Sequence, residues 1–138
     1  MVVVCAALPA QADAPVGQYT ASMGMVTDNK TGLMWQQTKA PEPLNWDNAK
    51  TYCTNLNLNG LGWRLPTVKE LLTLVDHGKL NPSIDTSENG FPDESGDKVW
   101  SATPFAAVPS SIAWQVHFSD GSTYSDAMTL TYRVRCVR

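Results

Sequence analysis

Arginines crowd the last residues of this chain, in Tyr132-Arg133-Val134-Arg135-Cys136-Val137-Arg138. Guanidinium groups at Arg133, Arg135 and Arg138 could grip a sulfate or carboxylate through paired N–H donors. Arg64 joins them if the fold brings its segment alongside. The plain alternative is the polar face of a surface strand, whose charges discourage edge-to-edge pairing. A second group is acidic: Asp85, Glu88, Asp93, Glu94 and Asp97 share one stretch. Hard cations take several carboxylate and carbonyl oxygens, so Asp85, Asp93, Glu94 and Asp97 are candidate calcium ligands. Their spacing fits no EF-hand loop, and acids favour solvated turns in any case, which makes turn carboxylates the better reading.

Aromatic rings are the third group. Five tryptophans could stack on sugar rings. Trp35, Trp46, Trp63 and Trp114 fall in phase with core residues, where large aromatics ordinarily go. Trp100, beside the acidic stretch, is the one placed to approach a ligand, followed by Tyr124 just past a turn. Catalysis finds no support. A serine triad needs a nucleophile, a base and an orienter in contact, and neither His77 nor His117 lies in a motif that selects it. The expectation is a binding protein, not an enzyme.

The cysteines bear on the compartment. Residues 1–14 read as an export signal, with an apolar run from Val2 to Leu8 and a small-x-small site at Ala12-Asp13-Ala14. The run is short and has no basic residue before it, as if Met1 were a late start within a longer signal. An N-terminal strand is the alternative, and acylation of Cys5 would need a longer apolar run ahead of it. Removing the signal takes Cys5 away and leaves Cys53 and Cys136. In an exported chain such a pair most simply forms one disulfide. Free buried thiols or a metal pair are the other readings, although these cysteines with His77 and His117 match no zinc pattern.

A length of 138 residues bounds the chain to one domain with a real core. Charged residues make up only 17%, and nine glycines and nine prolines point to short elements joined by turns, as in exported proteins. The net charge of −3 lacks the basic excess that nonspecific binding to nucleic acid or anionic membranes requires. No stretch approaches the length of a membrane span.

These residues need elements to hold them. Met25-Val26-Thr27 and Leu33-Met34-Trp35 flank an Asp/Asn/Gly cluster and read as a hairpin. Asn45 caps a helix running to about Leu56, stapled by Leu44, with Trp46, Ala49, Cys53 and Leu56 on one face. Gly62 to Leu71 compresses a turn, a short buried strand, a proline stop and a capping box of Thr67 and Glu70 into ten residues. The helix that follows carries Val68, Leu71, Leu72 and Val75 inward and ends near Gly78, with His77 capping it. Lys79 to Val99 is a long loop, and such loops are often functional. Strands follow at Val99–Ala102, Ala113–Phe118 and Thr123–Ala127, the last two joined by a hairpin turn at Ser119–Ser122. Tyr132 to Arg138 closes as a strand with Tyr132, Val134 and Cys136 on one face and Arg133 and Arg135 on the other. The fold class is α+β, with the terminal strands paired.

Six blocks in order carry a resemblance. They are Thr27 to Trp35; Trp46 with Ala49 and Cys53; Gly62 to Leu71; Trp100-Ser101-Ala102-Thr103; Ala113-Trp114 with Val116, Phe118, Asp120 and Gly121; and Tyr132 to Arg138. Together they resemble the Lcl C-terminal domain family over residues 26–138, leaving residues 15–25 as an N-terminal segment. That family is similar to C-type lectin-like and sulfatase-modifying-factor folds, in which a helix cysteine bonds to a cysteine of the last strand. The resemblance implies a Cys53–Cys136 bridge and an exported periplasmic, secreted or surface module with a long-loop face. Its name-giving member is a bacterial collagen-like adhesin whose terminal domain binds sulfated glycans and forms trimers; this chain has no collagen-like repeat. The expectation is adhesion or recognition of a glycan or protein ligand through Trp100, Tyr124, Arg133, Arg135 and Arg64. The alternative is a structural subunit of a homo-oligomer, filament or envelope complex.

Overall fold

A computed structural model describes residues 15–138. The expected export signal at 1–14 lies outside them. Two helices and two three-stranded antiparallel sheets make up the described chain.

The first sheet orders β1 (Tyr19–Ser22), β2 (Met25–Asp28) and β3 (Met34–Gln36) in sequence. Met23 and Gly24 turn β1 into β2 at φ of 56° and 78°, as tight two-residue hairpins require. The sheet thus begins at Tyr19, ahead of the expected boundary at residue 26. The expected hairpin between β2 and β3 is present. Asp28 holds its turn, accepting from Lys30 N at 2.9 Å and Thr31 Oγ1 at 2.9 Å.

Helix α1 (Trp46–Asn55) starts where Asn45 Oδ1 accepts the Asn48 N–H, and it buries Ala49 and Cys53. Helix α2 (Val68–Leu72) opens on the expected capping box: Glu70 N donates to Thr67 Oγ1 at 3.2 Å and Thr67 N to Glu70 Oε1 at 2.8 Å. It is shorter than the sequence suggested. Leu74 N bonds Leu71 O and Val75 N bonds Leu72 O, i→i+3 turns that wind the chain more tightly. Leu74 therefore faces the core, and Leu72, expected inward, is left 38% exposed. His77 lies past the Thr73 cap and does not serve as one.

The second sheet orders β4 (Lys98–Pro104), β5 (Ile112–His117) and β6 (Ser122–Ala127). Between Lys79 and Asp97 the chain is irregular, as expected. The last residues do not form a regular strand. They thread between the sheets through single bridges, Leu44 with Tyr132, Val99 with Arg133, and Val137 with both Trp35 and Arg64. Met34 and Arg138 exchange backbone hydrogen bonds at 2.9 and 2.8 Å, so the first sheet and the chain end do pair.

Two apolar clusters fill the interior. One gathers Val26, Trp35, Leu71, Ile84, Phe91, Val116 and Phe118 between the sheets and α2. The other surrounds the Cys53–Cys136 disulfide with Ala49, Trp63, Trp100 and Val134. The bridge ties α1 to the terminal segment, which in turn carries Arg133 and Arg135.

Candidate functional site

Alternation along the terminal segment predicts that Arg133 and Arg135 share a polar surface. The structure corrects half of this. Arg135 is fully buried, because the loop from Lys79 to Asp97 folds over it. Its Nη2 lies 2.9 Å from Asp93 Oδ1 and 3.2 Å from Glu94 Oε2. Its Nη1 donates to the carbonyls of Gln36 and Gln37, and the guanidinium stacks over Phe91 at 4.6 Å.

Lys39 completes this cluster, and nothing in its local sequence announces it. Its Nζ, on a side chain 1% exposed, lies 2.8 Å from Asp97 Oδ2, 3.2 Å from Glu94 Oε1 and 3.9 Å from Asp93 Oδ2. Three of the calcium candidates thus converge on cations of the chain itself. Burial pushes the Asp93 carboxyl up, but Arg135 and Lys39 outweigh it and hold it below the usual range. The same contest at Asp97 is decided downward by Lys39, with Ser95 and Arg133 adding to it. Asp85 stands apart; its carboxylate accepts the Ser87 N–H in a local turn. Among the described residues no three His, Cys, Asp or Glu side chains are arranged to hold a metal ion.

Arg64 makes a paired contact with Glu70, Nη1 to Oε1 and Nη2 to Oε2 both at 2.7 Å. Those hydrogen bonds draw the Glu70 carboxyl down to about 2, burial opposing and Thr67 assisting. Arg138 lies over the Trp63 ring at 4.7 Å and donates to the Leu61 carbonyl. Neither arginine is near Arg133.

Lys98 borders a groove with Arg133 and also reaches over the Tyr124 ring. Opposed residues of antiparallel strands point to the same face. The pairings Lys98–His117–Ser122 and Trp100–Gln115–Tyr124 therefore lay two rungs side by side on one face of the second sheet. The terminal segment crosses this face and leaves a groove of about 310 Å³, bordered by Pro43, Asp97, Lys98, His117, Tyr132 and Arg133. Lys98 Nζ sits 4.5 Å above the Tyr124 ring and 5.8 Å from that of Tyr132. His117 meets Tyr124 edge-on at 5.8 Å, and its Nδ1 is 3.1 Å from Ser119 Oγ. Arg133 Nε lies 4.0 Å from Asp97 Oδ2 and stays one-third exposed. Tyr124 is 44% exposed.

Trp100, expected to approach a ligand, is instead fully buried and does not line the groove; it stacks edge-on against Tyr132 at 5.0 Å, with Nε1 donating to the Leu44 carbonyl. Lys98 and Tyr132 escaped the sequence reading because their meeting depends on strand register and on the path of the terminal segment. Only the proximity of Lys98 to the acidic loop hinted at it.

A groove of cations and aromatic rings on one sheet of a small disulfide-braced α+β domain defines the class of this chain. The chain belongs to the Lcl C-terminal domain family, whose model matches residues 24–138. No curated protein matches it in sequence. The crystal structure of botrocetin is similar over 91% of this chain and 98% of its own, at 13% identity and a TM-score of 0.48. No helix among the described residues is long and apolar enough to cross a membrane.

Proposed function

We propose that the chain is an exported, non-catalytic binding module of C-type lectin-like architecture that takes a glycan or protein ligand in the Lys98–Tyr124–Arg133 groove. The observation behind this reading is that Lys98, His117 and Arg133 line one groove with Tyr132, and that Lys98 and His117 also meet the solvent-exposed ring of Tyr124. Such a surface suits a ligand with a negative group and an apolar face: the cations hold the charge, and Tyr124 offers a ring on which a sugar or side chain lies flat. The disulfide supports an oxidising compartment outside the cytosol.

In this reading binding is independent of calcium. The Lys39 ammonium stands among the Asp93, Glu94 and Asp97 carboxylates where a hard cation would otherwise sit. The test is an array of acidic and neutral glycans, probed in calcium and in chelator, with wild type, Lys98→Ala and Arg133→Ala. Acidic glycans should bind in both buffers. Each variant should lose about tenfold in affinity, as removal of one charge-assisted contact costs about 1.4 kcal/mol or more. Undiminished binding by both variants would refute the groove.

A further inference from the structure

β6 is an outer strand of the second sheet, and its register with β5 runs unbroken from Ser122 to Ala127. The opposite edge of that sheet is covered by the terminal segment: Trp100 N donates to Arg133 O, and Arg133 N to Lys98 O. The β6 edge is open. Phe118 N donates to Asp97 O, so even-numbered residues of β5 turn their main-chain groups toward β4 and odd-numbered ones toward β6. Tyr124 and Asp126 thereby bond to Gln115 and Ala113, while Thr123 and Ser125 point their N–H and C=O groups outward. Among the described residues no other backbone group meets them there.

Native edges are ordinarily guarded by lysine, proline, a bulge or a covering loop. Ser122-Thr123-Tyr124-Ser125-Asp126-Ala127 contains neither lysine nor proline, and its middle three residues are exposed. Its one charge is occupied, since Asp126 Oδ2 accepts from the Tyr132 hydroxyl at 2.6 Å.

The two faces beside this edge specify what an added strand would carry. Such a strand lies about 4.8 Å from β6, with side chains alternating between the faces. Its residue opposite Tyr124 falls on the groove face, where Lys98 Nζ stands 4.5 Å over the Tyr124 ring. A carboxylate there meets an ammonium. Its residue opposite Ser125 falls on the other face, in line with Trp114, which pairs with Ser125 and stacks edge-on with Phe105 at 5.2 Å. Ser125 is too small to fill the space between, so an apolar side chain would cover the partly exposed indole.

We infer that β6 is a docking edge for an extended peptide that alternates acidic and apolar residues, its main chain on Thr123 and Ser125, an acid on Lys98 and an apolar side chain against Trp114. The inference rests on the groove being an anion site. An acidic glycan and a peptide carboxylate share that site, but only the peptide has a main chain for the edge.

The test combines amide hydrogen exchange by NMR with calorimetric titration of the full chain. The probes are a capped octapeptide alternating glutamate and valine, the same peptide with glutamine for glutamate, and a glucuronic-acid disaccharide. The glutamate peptide should slow exchange at Thr123 and Ser125, and the disaccharide at neither. Wild type should bind the glutamine peptide about tenfold more weakly, and Lys98→Ala should erase that difference. Ser125→Pro removes one outward N–H, a change that edge strands tolerate, and should weaken the glutamate peptide by about tenfold or more. Peptide binding without slowed exchange at Thr123 and Ser125, or undiminished in folded Ser125→Pro, would overturn the docking edge; the wild-type exchange result decides if that variant fails to fold. Equal wild-type affinity for the two peptides would overturn the acid's place at Lys98. Binding of the disaccharide but of neither peptide would overturn the inference and leave the groove standing, whereas a chain that binds none of the three would overturn the groove as well. Slow exchange at both amides in the free protein, deepening as its concentration rises, would give the edge to a second copy and overturn the peptide.

Discussion

Lys39 and Glu94 are both sealed from solvent and lie 3.2 Å apart. Glu94 also leans on Arg135, but Asp97 has only Lys39 close by, with Arg133 at 4.0 Å. Removing one member of a buried charge cluster leaves an uncompensated ion, a loss of about 3–5 kcal/mol. Lys39→Met should therefore lower unfolding free energy by that amount in urea titration, and Lys39→Met with Glu94→Gln should recover part of it. A single variant within about 0.5 kcal/mol of wild type would show that the cluster carries no such burden. This cluster also shows where residue-level reading stopped. Alternation assigned Arg135 to a polar face correctly as a matter of direction. The sequence could not say that a loop some forty residues upstream would fold over that face and turn a surface cation into a buried one.

Elements with a local program were legible. Asn45 and Thr67 cap their helices as expected, and the β2–β3 hairpin forms about its Asp-Asn-Lys-Thr-Gly turn, because each signal lies within a few residues of what it controls. The end of α2 was not, since the tight turn that brings Leu74 inward is set by packing against the sheets. The start of α2 offers a pH test. Arg64 and Thr67 hold the Glu70 carboxylate at about 2, against an ordinary value of 4.5. A depressed folded value means that the stabilisation is complete above about 4.5 and is lost as the pH falls toward about 2. Glu70→Gln should accordingly be less stable than wild type at pH 7, and the gap should narrow steadily across that window. Arg64 is half exposed and solvent screens the pair, so the gap at pH 7 should be near 1 kcal/mol, much of it from the capping box. A gap that stays constant from pH 7 to pH 2 would exclude the ion pair as its source.

At the scale of the whole molecule the terminal segment is the keystone. It pairs with β3, bridges to β4 and Leu44, bears the Arg135 cluster on one side and the groove's Tyr132 and Arg133 on the other. The Cys53–Cys136 bond anchors that segment to α1 across a sequence separation of 83. Closing a loop of that length restricts the unfolded chain enough to contribute up to about 4.5 kcal/mol in the chain-entropy account. The groove then depends on the bridge, since Tyr132 and Arg133 hold their places only while the segment is threaded between the sheets. Reduction should lower the urea midpoint and, at denaturant concentrations just below the new midpoint, abolish acidic-glycan binding together with the near-ultraviolet signal of Trp100. Cys53→Ala with Cys136→Ala should reproduce both losses without reductant. If the reduced chain unfolds at the oxidised midpoint, the bond adds nothing to the fold. If binding survives after the Trp100 signal has gone, the groove does not depend on the terminal segment, and the ligand is held on the second sheet alone.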